Sequence, residues 1–343
     1  MKILFSIQGT GNGHLSRARD VYPELIKYGE VDVLISGIQA DVDFPYPVTY
    51  RKYGMSFIFG SRGGVDIIKT AQKLRLPQLI KDIRQLPVQN YDLVVNDFEP
   101  VTAWACKIKG VPCIALSHQS AVMNANAPKP KFGHLAGKIV LKYYAPHTAA
   151  YGFHFKKYDE NIFTPVIRKQ VRDIQPTNEG HYTVYLPAYD DAALMKHLSH
   201  FSDAKWEIFS KHNKQEIVKD KIHIRPINND AFIDSMAKSA GVLCGAGFEG
   251  PAEAMQLGKK VLAIPMLAQY EQQCNAAALE DMGVPVIKTL SEKYYPQIQN
   301  WLSNGKIVEV NYEDNIATVV KKLMQEHAPE HRFVFQKELA ATS

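Results

Sequence analysis

Short apolar runs and longer amphipathic stretches take turns along this chain. Residues 3–7 form an apolar run of strand length. From 14 to 27 the apolar positions Leu15, Ala18, Val21 and Leu25 recur at helical spacing. A second strand is predicted at 31–35, followed by a loop rich in Pro and Tyr at 44–47. Residues 65–86 predict an amphipathic helix in two pieces, with Pro77 opening the second. Strands at 93–95 and 112–116 flank a helix at 101–108. Such alternation predicts a parallel sheet covered by helices on both faces.

The alternation lapses between 163 and 180, where charged and polar residues gather around Pro165 and Pro176, and then resumes. The second series predicts strands at 182–186, 206–209, 222–224, 241–244, 261–264 and 286–287. Its helices begin at 192 and span 231–239, 272–282 and 312–325. At 343 residues the chain exceeds what one core usually supports. The expected division is a first domain over 1–163, a linker over 164–180, a second domain over 181–326, and a tail, 327–343, that packs back on the first domain.

Composition adds little to this picture until charge is considered. The chain is 46% hydrophobic and 22% charged, ordinary for a globule. A net charge of +5 suits an anionic ligand or an anionic membrane surface, and is too small to point to nucleic acid. Cys106, Cys113, Cys244 and Cys274 form no close pair and read as reduced, buried thiols. No apolar run is long enough to span a bilayer, so the expected location is cytoplasmic, with peripheral contact at the inner face of the membrane as an option. Residues 128–147 supply that option. They carry Lys129, Lys131, Lys138 and Lys142 without an acid, together with Phe132, Tyr143 and Tyr144. The segment reads either as a solvated helix face or as a surface for acidic lipid headgroups.

Two glycine loops carry the candidate chemistry. The first, Gly9-Thr10-Gly11-Asn12-Gly13-His14, joins a strand to a helix. It ends in His14 where a dinucleotide fingerprint would have glycine, and no acid closes the second strand, which argues against NAD or FAD. A neutral imidazole at a helix start, facing a cleft, can take a proton from an attacking hydroxyl. The second loop, Gly245-Ala246-Gly247-Phe248, leads into a helix bearing Glu253, then a strand closed by Pro265, then Glu271, Gln272, Gln273 and Asn275. Helix N-terminal amides bind phosphate. A carboxylate accepts from both ribose hydroxyls, and Gln and Asn side chains suit sugar hydroxyls. A nucleotide-sugar needs all three.

Other polar groups end strands near these loops. Asp97 is a candidate second base, a carboxylate that orients His14, or the N-cap of the helix before Pro100. Glu99, Ser117, His118 and Gln119 are candidates for the acceptor side, with a core or capping role open for His118. Asp41 and Asp43 read as a solvated loop, and Pro329 interrupts His327 and His331. No metal and no cofactor is expected; the nucleotide-sugar is a co-substrate.

Residues 9–14 and 245–276 together resemble the UDP-glycosyltransferase superfamily, glycosyltransferases of the B fold. That group includes bacterial enzymes that glycosylate lipid-linked peptidoglycan precursors and diacylglycerols. The resemblance implies an α/β protein of two Rossmann-like domains facing across a cleft. It implies His14 as base or neighbour of the donor phosphates, Glu253 on the ribose, and Glu271 and Gln272 on the sugar. It further implies transfer, with inversion and without a metal, from a UDP-sugar to a hydroxyl acceptor, for which a lipid is one candidate. The chain departs from plant and animal members in having Gly245 where they carry a phosphate-binding histidine. Glu249, at a place usually neutral, is expected to face the sugar or solvent, since beside a diphosphate it would repel. Two rivals share the fold: a UDP-sugar 2-epimerase and a non-catalytic nucleotide-sugar-binding subunit.

Overall fold

The computed structural model describes residues 1–10, 12–37, 44–55, 75–131, 135–266 and 269–329. Gly11, the stretch 65–74, Asp41 and Asp43, Phe132, His331 and nearly all of the expected tail lie outside the described residues, as does the side chain of Asn12. Two sheets dominate. The first has the order β3-β2-β1-β4-β5-β6-β7, every pairing parallel. Its strands are β1 (Lys2–Gln8), β2 (Glu30–Ser36), β3 (Tyr50–Lys52), β4 (Leu93–Asp97), β5 (Ile114–Leu116), β6 (Ala149–Phe153) and β7 (Ile162–Phe163). β1 is buried along almost its whole length, as its unbroken apolar run requires of a central parallel strand. The order reverses at β1 and β4, the position where ligands bind in such sheets. Their register sets Ile7 level with Asp97, so the first glycine loop leaves β1 beside the end of β4.

The second sheet has the order β10-β11-β9-β8-β12-β13. Its strands are β8 (His181–Tyr185), β9 (Lys205–Ser210), β10 (Ile217–Lys219), β11 (Ile222–Pro226), β12 (Gly241–Gly245) and β13 (Lys260–Ile264). All pair parallel except the β10–β11 hairpin. Here the reversal falls between β8 and β12, and Gly245 stands level with Ile264, so the second glycine loop lies against the turn at Pro265. The molecule is therefore α/β, with two Rossmann-like lobes, as the alternating pattern predicts.

The structure differs from the pattern mainly at short elements, at β6 and at one later helix. β3, β7 and β10 have two or three residues, too few to show a period. The run at 286–287 does not join the sheet as a strand; Val286 makes a single bridge to Ala263. The helix Tyr295–Asn304 was not predicted, although Ile298 and Trp301 are its buried positions. Within the expected linker lies one helical turn, Lys169–Arg172. The last described helix, Ile316–His327, packs on the first lobe, where the Tyr151 hydroxyl meets Glu326 and stands 2.9 Å from His327 Nε2. All four cysteines are free and buried, in keeping with the sequence reading.

Candidate active site

The helix α1 (Asn12–Leu25) starts at the end of β1 and carries His14 and Arg17, one turn apart on the same side. Gly9 is needed in the turn before it, because a Cβ there would stand 2.9 Å from Ile35 and 3.0 Å from the Ser36 carbonyl oxygen. His14 Nδ1 lies 2.8 Å from Asp97 Oδ1. Burial alone would push the Asp97 carboxyl up, but Arg17 and His14 pull it below its ordinary range, so it is ionised. An ionised oxygen at that distance needs a hydrogen on Nδ1, so in the neutral imidazole the lone pair is on Nε2. Arg17 Nη2 donates to both Asp97 oxygens at 2.8 Å and lies 3.2 Å from His14 Nδ1.

Asp97 is therefore not the helix N-cap. That role belongs to Glu99, which sequence reasoning put on the acceptor side. Glu99 is fully buried and accepts from the amides of Val101 and Thr102 at 2.7 Å and from the Ser36 hydroxyl at 2.6 Å. Phe98 separates the two acids with a left-handed backbone, φ 55°, and its ring stacks on Tyr144. Ser117 caps the helix His118–Met123 through the Ser120 amide. His118 is buried, with Nδ1 2.8 Å from the Phe153 carbonyl and Nε2 2.8 Å from Asn275 Oδ1 of the second lobe. It stacks on Phe248 at 3.9 Å, and burial holds its imidazole below the usual range. These contacts make it a joint between the lobes. Gln119 faces the cleft, its amide nitrogen 3.0 Å from Glu271 Oε2 and 3.4 Å from His14 Nε2.

In the second lobe the helix α2, our label for Glu249–Gln256, begins without a side-chain cap. A Cβ on Gly247 or Gly250 would meet nothing within 4 Å, and neither residue has a left-handed backbone. Packing does not demand glycine there, so those positions leave open space beside helix-start amides. Asn275 is buried, and its amide nitrogen donates to the Ala246 carbonyl at 3.2 Å, which fixes the loop. Gln272 and Gln273 bracket Met266, one accepting from its amide at 2.8 Å and the other donating to its carbonyl at 3.2 Å. Glu253 is 1% exposed, and both of its oxygens accept from Arg168, at 2.6 Å each. The Glu249 side chain is 29% exposed, as the expectation of a solvent-facing acid allows, but it is not free. It crosses to the first lobe and accepts from Arg17 Nη1 at 2.8 Å.

Two cavities flank this network. One, about 310 Å³, lies at the strand ends of the second lobe between Tyr189, Asp190, Gly245, Pro265 and Gln272. The other, about 320 Å³, lies in the first lobe between Phe98, Ser117, Gln119, Lys142 and Tyr143. Gln119, on the wall of the second of these, is hydrogen-bonded to Glu271, the neighbour in sequence of Gln272 on the wall of the first. Sequence reasoning missed Arg17 and Arg168. Arg17 could have been found from its place one helical turn after His14, but Arg168 has no local signal.

The cleft can be set beside known proteins. A family model described as glycosyl transferase family 1 matches residues 1–304. No curated protein sequence matches the chain. The protein from Glycyrrhiza uralensis solved with glycyrrhetinic acid 3-O-monoglucuronide, UGT73P12, shares 13% identity at a TM-score of 0.60, covering 100% of this chain and 99% of that one. MurG of Acinetobacter baumannii shares 13% at 0.57, over 95% and 99%. A UDP-N-acetylglucosamine 2-epimerase shares 14% at 0.56, over 95% and 96%. At such identities the structural likenesses speak to the fold alone. The family match spans both lobes and every element of the cleft, so the chain belongs to glycosyl transferase family 1.

Proposed function

We propose that this glycosyltransferase moves a sugar from a nucleotide-sugar, a UDP-sugar in our reading, to a hydroxyl. The nucleotide occupies the cavity of the second lobe, with its diphosphate at the uncapped start of α2 beside Gly247. The acceptor enters the cavity of the first lobe. Its hydroxyl approaches His14 Nε2 and gives up its proton there as the oxygen attacks the anomeric carbon. Asp97 then stabilises the imidazolium. The nucleoside diphosphate leaves, and one such displacement inverts the anomeric carbon. The Gln119 carbonyl oxygen, buried without a partner among the described residues, is placed to accept from the acceptor or the sugar.

The observation that carries this reading is His14, with Nδ1 held by an ionised Asp97 and Nε2 3.4 Å from the amide of Gln119, a residue on the wall of the first-lobe cavity. His14→Ala is expected to cut transfer by about 10²- to 10⁴-fold, the usual worth of a general base. Calorimetry on the same variant should find UDP affinity nearly unchanged. Near-normal transfer by His14→Ala would remove histidine from the mechanism.

The acceptor's class follows from what surrounds its cavity. The helix α3, our label for Leu135–Tyr144, exposes Ile139, Val140 and Tyr143 beside Lys138 and Lys142. Apolar side chains flanked by cations suit an anionic membrane surface, and the same helix lines the acceptor cavity. An acceptor carried on a lipid is the reading this favours. Among the described residues no helix is long and apolar enough to cross a membrane.

A further inference from the structure

Glu249 is an unexpected neighbour for a diphosphate. It opens α2 next to Gly247, where an acid repels phosphate, yet its carboxylate turns to Arg17 of the other lobe. There it lies against the first turn of α1: a Cβ on Gly13 would stand 2.5 Å from Glu249 Oε2, so glycine leaves the room this anion fills. The two partners are unequally fixed. Arg17 is 3% exposed and fastened to both oxygens of Asp97, while the Glu249 side chain is 29% exposed. Arg17 Nε is buried and has no hydrogen-bond partner among the described residues, so the guanidinium has donor capacity that the protein leaves unused. The other guanidinium near Glu249, that of Arg168, is 17% exposed and is committed to Glu253 and Asn229.

We propose that Arg17 binds the donor diphosphate, and that Glu249 holds its guanidinium until the donor displaces it. The inference rests on the nucleotide-sugar reading above. It replaces one anion by another on a fixed cation, and it moves the Glu249 charge away from the phosphates as they arrive. Gly247 and Gly250 leave space for the carboxylate to swing outward. Arg17 Nη2 stays on Asp97 throughout, so the donor and the pair that positions the base share one cation.

Calorimetric titration tests the exchange, with UDP, TDP and GDP each measured against its own nucleoside. Glu249→Gln is expected to tighten the diphosphate about five- to tenfold, the scale of one partly exposed ion pair given up, and to leave the nucleoside unchanged. Arg17→Gln is expected to weaken the diphosphate by about tenfold or more, and adding Glu249→Gln to it should no longer tighten binding. If wild type binds a diphosphate and Glu249→Gln leaves that affinity unchanged or weakens it, the exchange is overturned while the nucleotide-sugar reading stands. If Arg17→Gln does not fold, Glu249→Gln and Arg17→Lys decide, since removing a partly exposed acid spares the fold. No heat with any diphosphate, in wild type or Glu249→Gln, overturns both.

Discussion

At the end of β4, Asp97 and Glu99 sit two residues apart and would share one face of a continuing strand. The left-handed turn at Phe98 breaks that alternation, at a cost of roughly 1–2 kcal/mol for a residue with a Cβ. One acid then meets His14 and the other caps a helix. Both stand just before Pro100, so the sequence alone could not tell which was the cap. Glu253 illustrates the opposite limit. Its place on α2 was legible, but its partner Arg168 lies 85 residues away and left no mark in the pattern. Glu253→Ala is expected to weaken UDP binding and, by removing the acid partner of the partly exposed Arg168, to cost about 1–3 kcal/mol of stability. Calorimetry with thermal melts checks both effects. Unchanged UDP affinity in a folded variant would restrict Glu253 to holding Arg168.

Asp20, on α1 two turns beyond the glycine loop, adds a pH dependence. Burial and the nearby Asp314 push its carboxyl up to about 6, against the pull of Arg168 and Arg172, with Glu253 adding to the rise. The folded protein therefore holds this proton more tightly than the unfolded chain, for which 3.8 is the ordinary value. Between those values the native state binds more protons, so this group's contribution to stability falls as pH rises through the window. Asp20→Asn is expected to melt about 2 °C above wild type at pH 7.5, with the gap closing as pH falls towards 4. A gap independent of pH would contradict the assignment.

Long apolar runs were legible, but β6, buried and interrupted by Gly152, was not. β1, β4, β12 and β13 are buried runs and stood out, whereas β3, β7 and β10 at sheet edges are too short to carry a signal. The segment 128–147 gave charge and aromatics but not function. The structure makes part of it α3 and sets that helix on the wall of the first-lobe cavity. Reversing Lys138 and Lys142 to Glu should abolish sedimentation with anionic vesicles, and wild-type sedimentation should weaken as salt rises. Binding that ignores both salt and the reversal would point to a soluble acceptor.

At the scale of the whole molecule, the alternating pattern predicted parallel sheets, but not the strand order whose reversals set the cleft. Nor did it predict what closes the cleft. His118–Asn275, Gln119–Glu271 and Arg17–Glu249 join residues 157, 152 and 232 positions apart. The same contacts join Glu249 and Glu271 to the His14–Asp97 pair through Arg17 and Gln119, and several acids near a sugar are what an epimerase would need. Asp97 is held on Arg17 and Glu271 accepts from Gln119, however, so His14, oriented by Asp97, is the group our reading assigns as base. The most direct measurement follows the sugar itself: purified protein, a panel of labelled nucleotide-sugars, and an acceptor-containing lipid extract. Label on an acceptor, with one free nucleoside diphosphate for each sugar moved, is the predicted result. Label confined to a new nucleotide-sugar, with no diphosphate released, would contradict it.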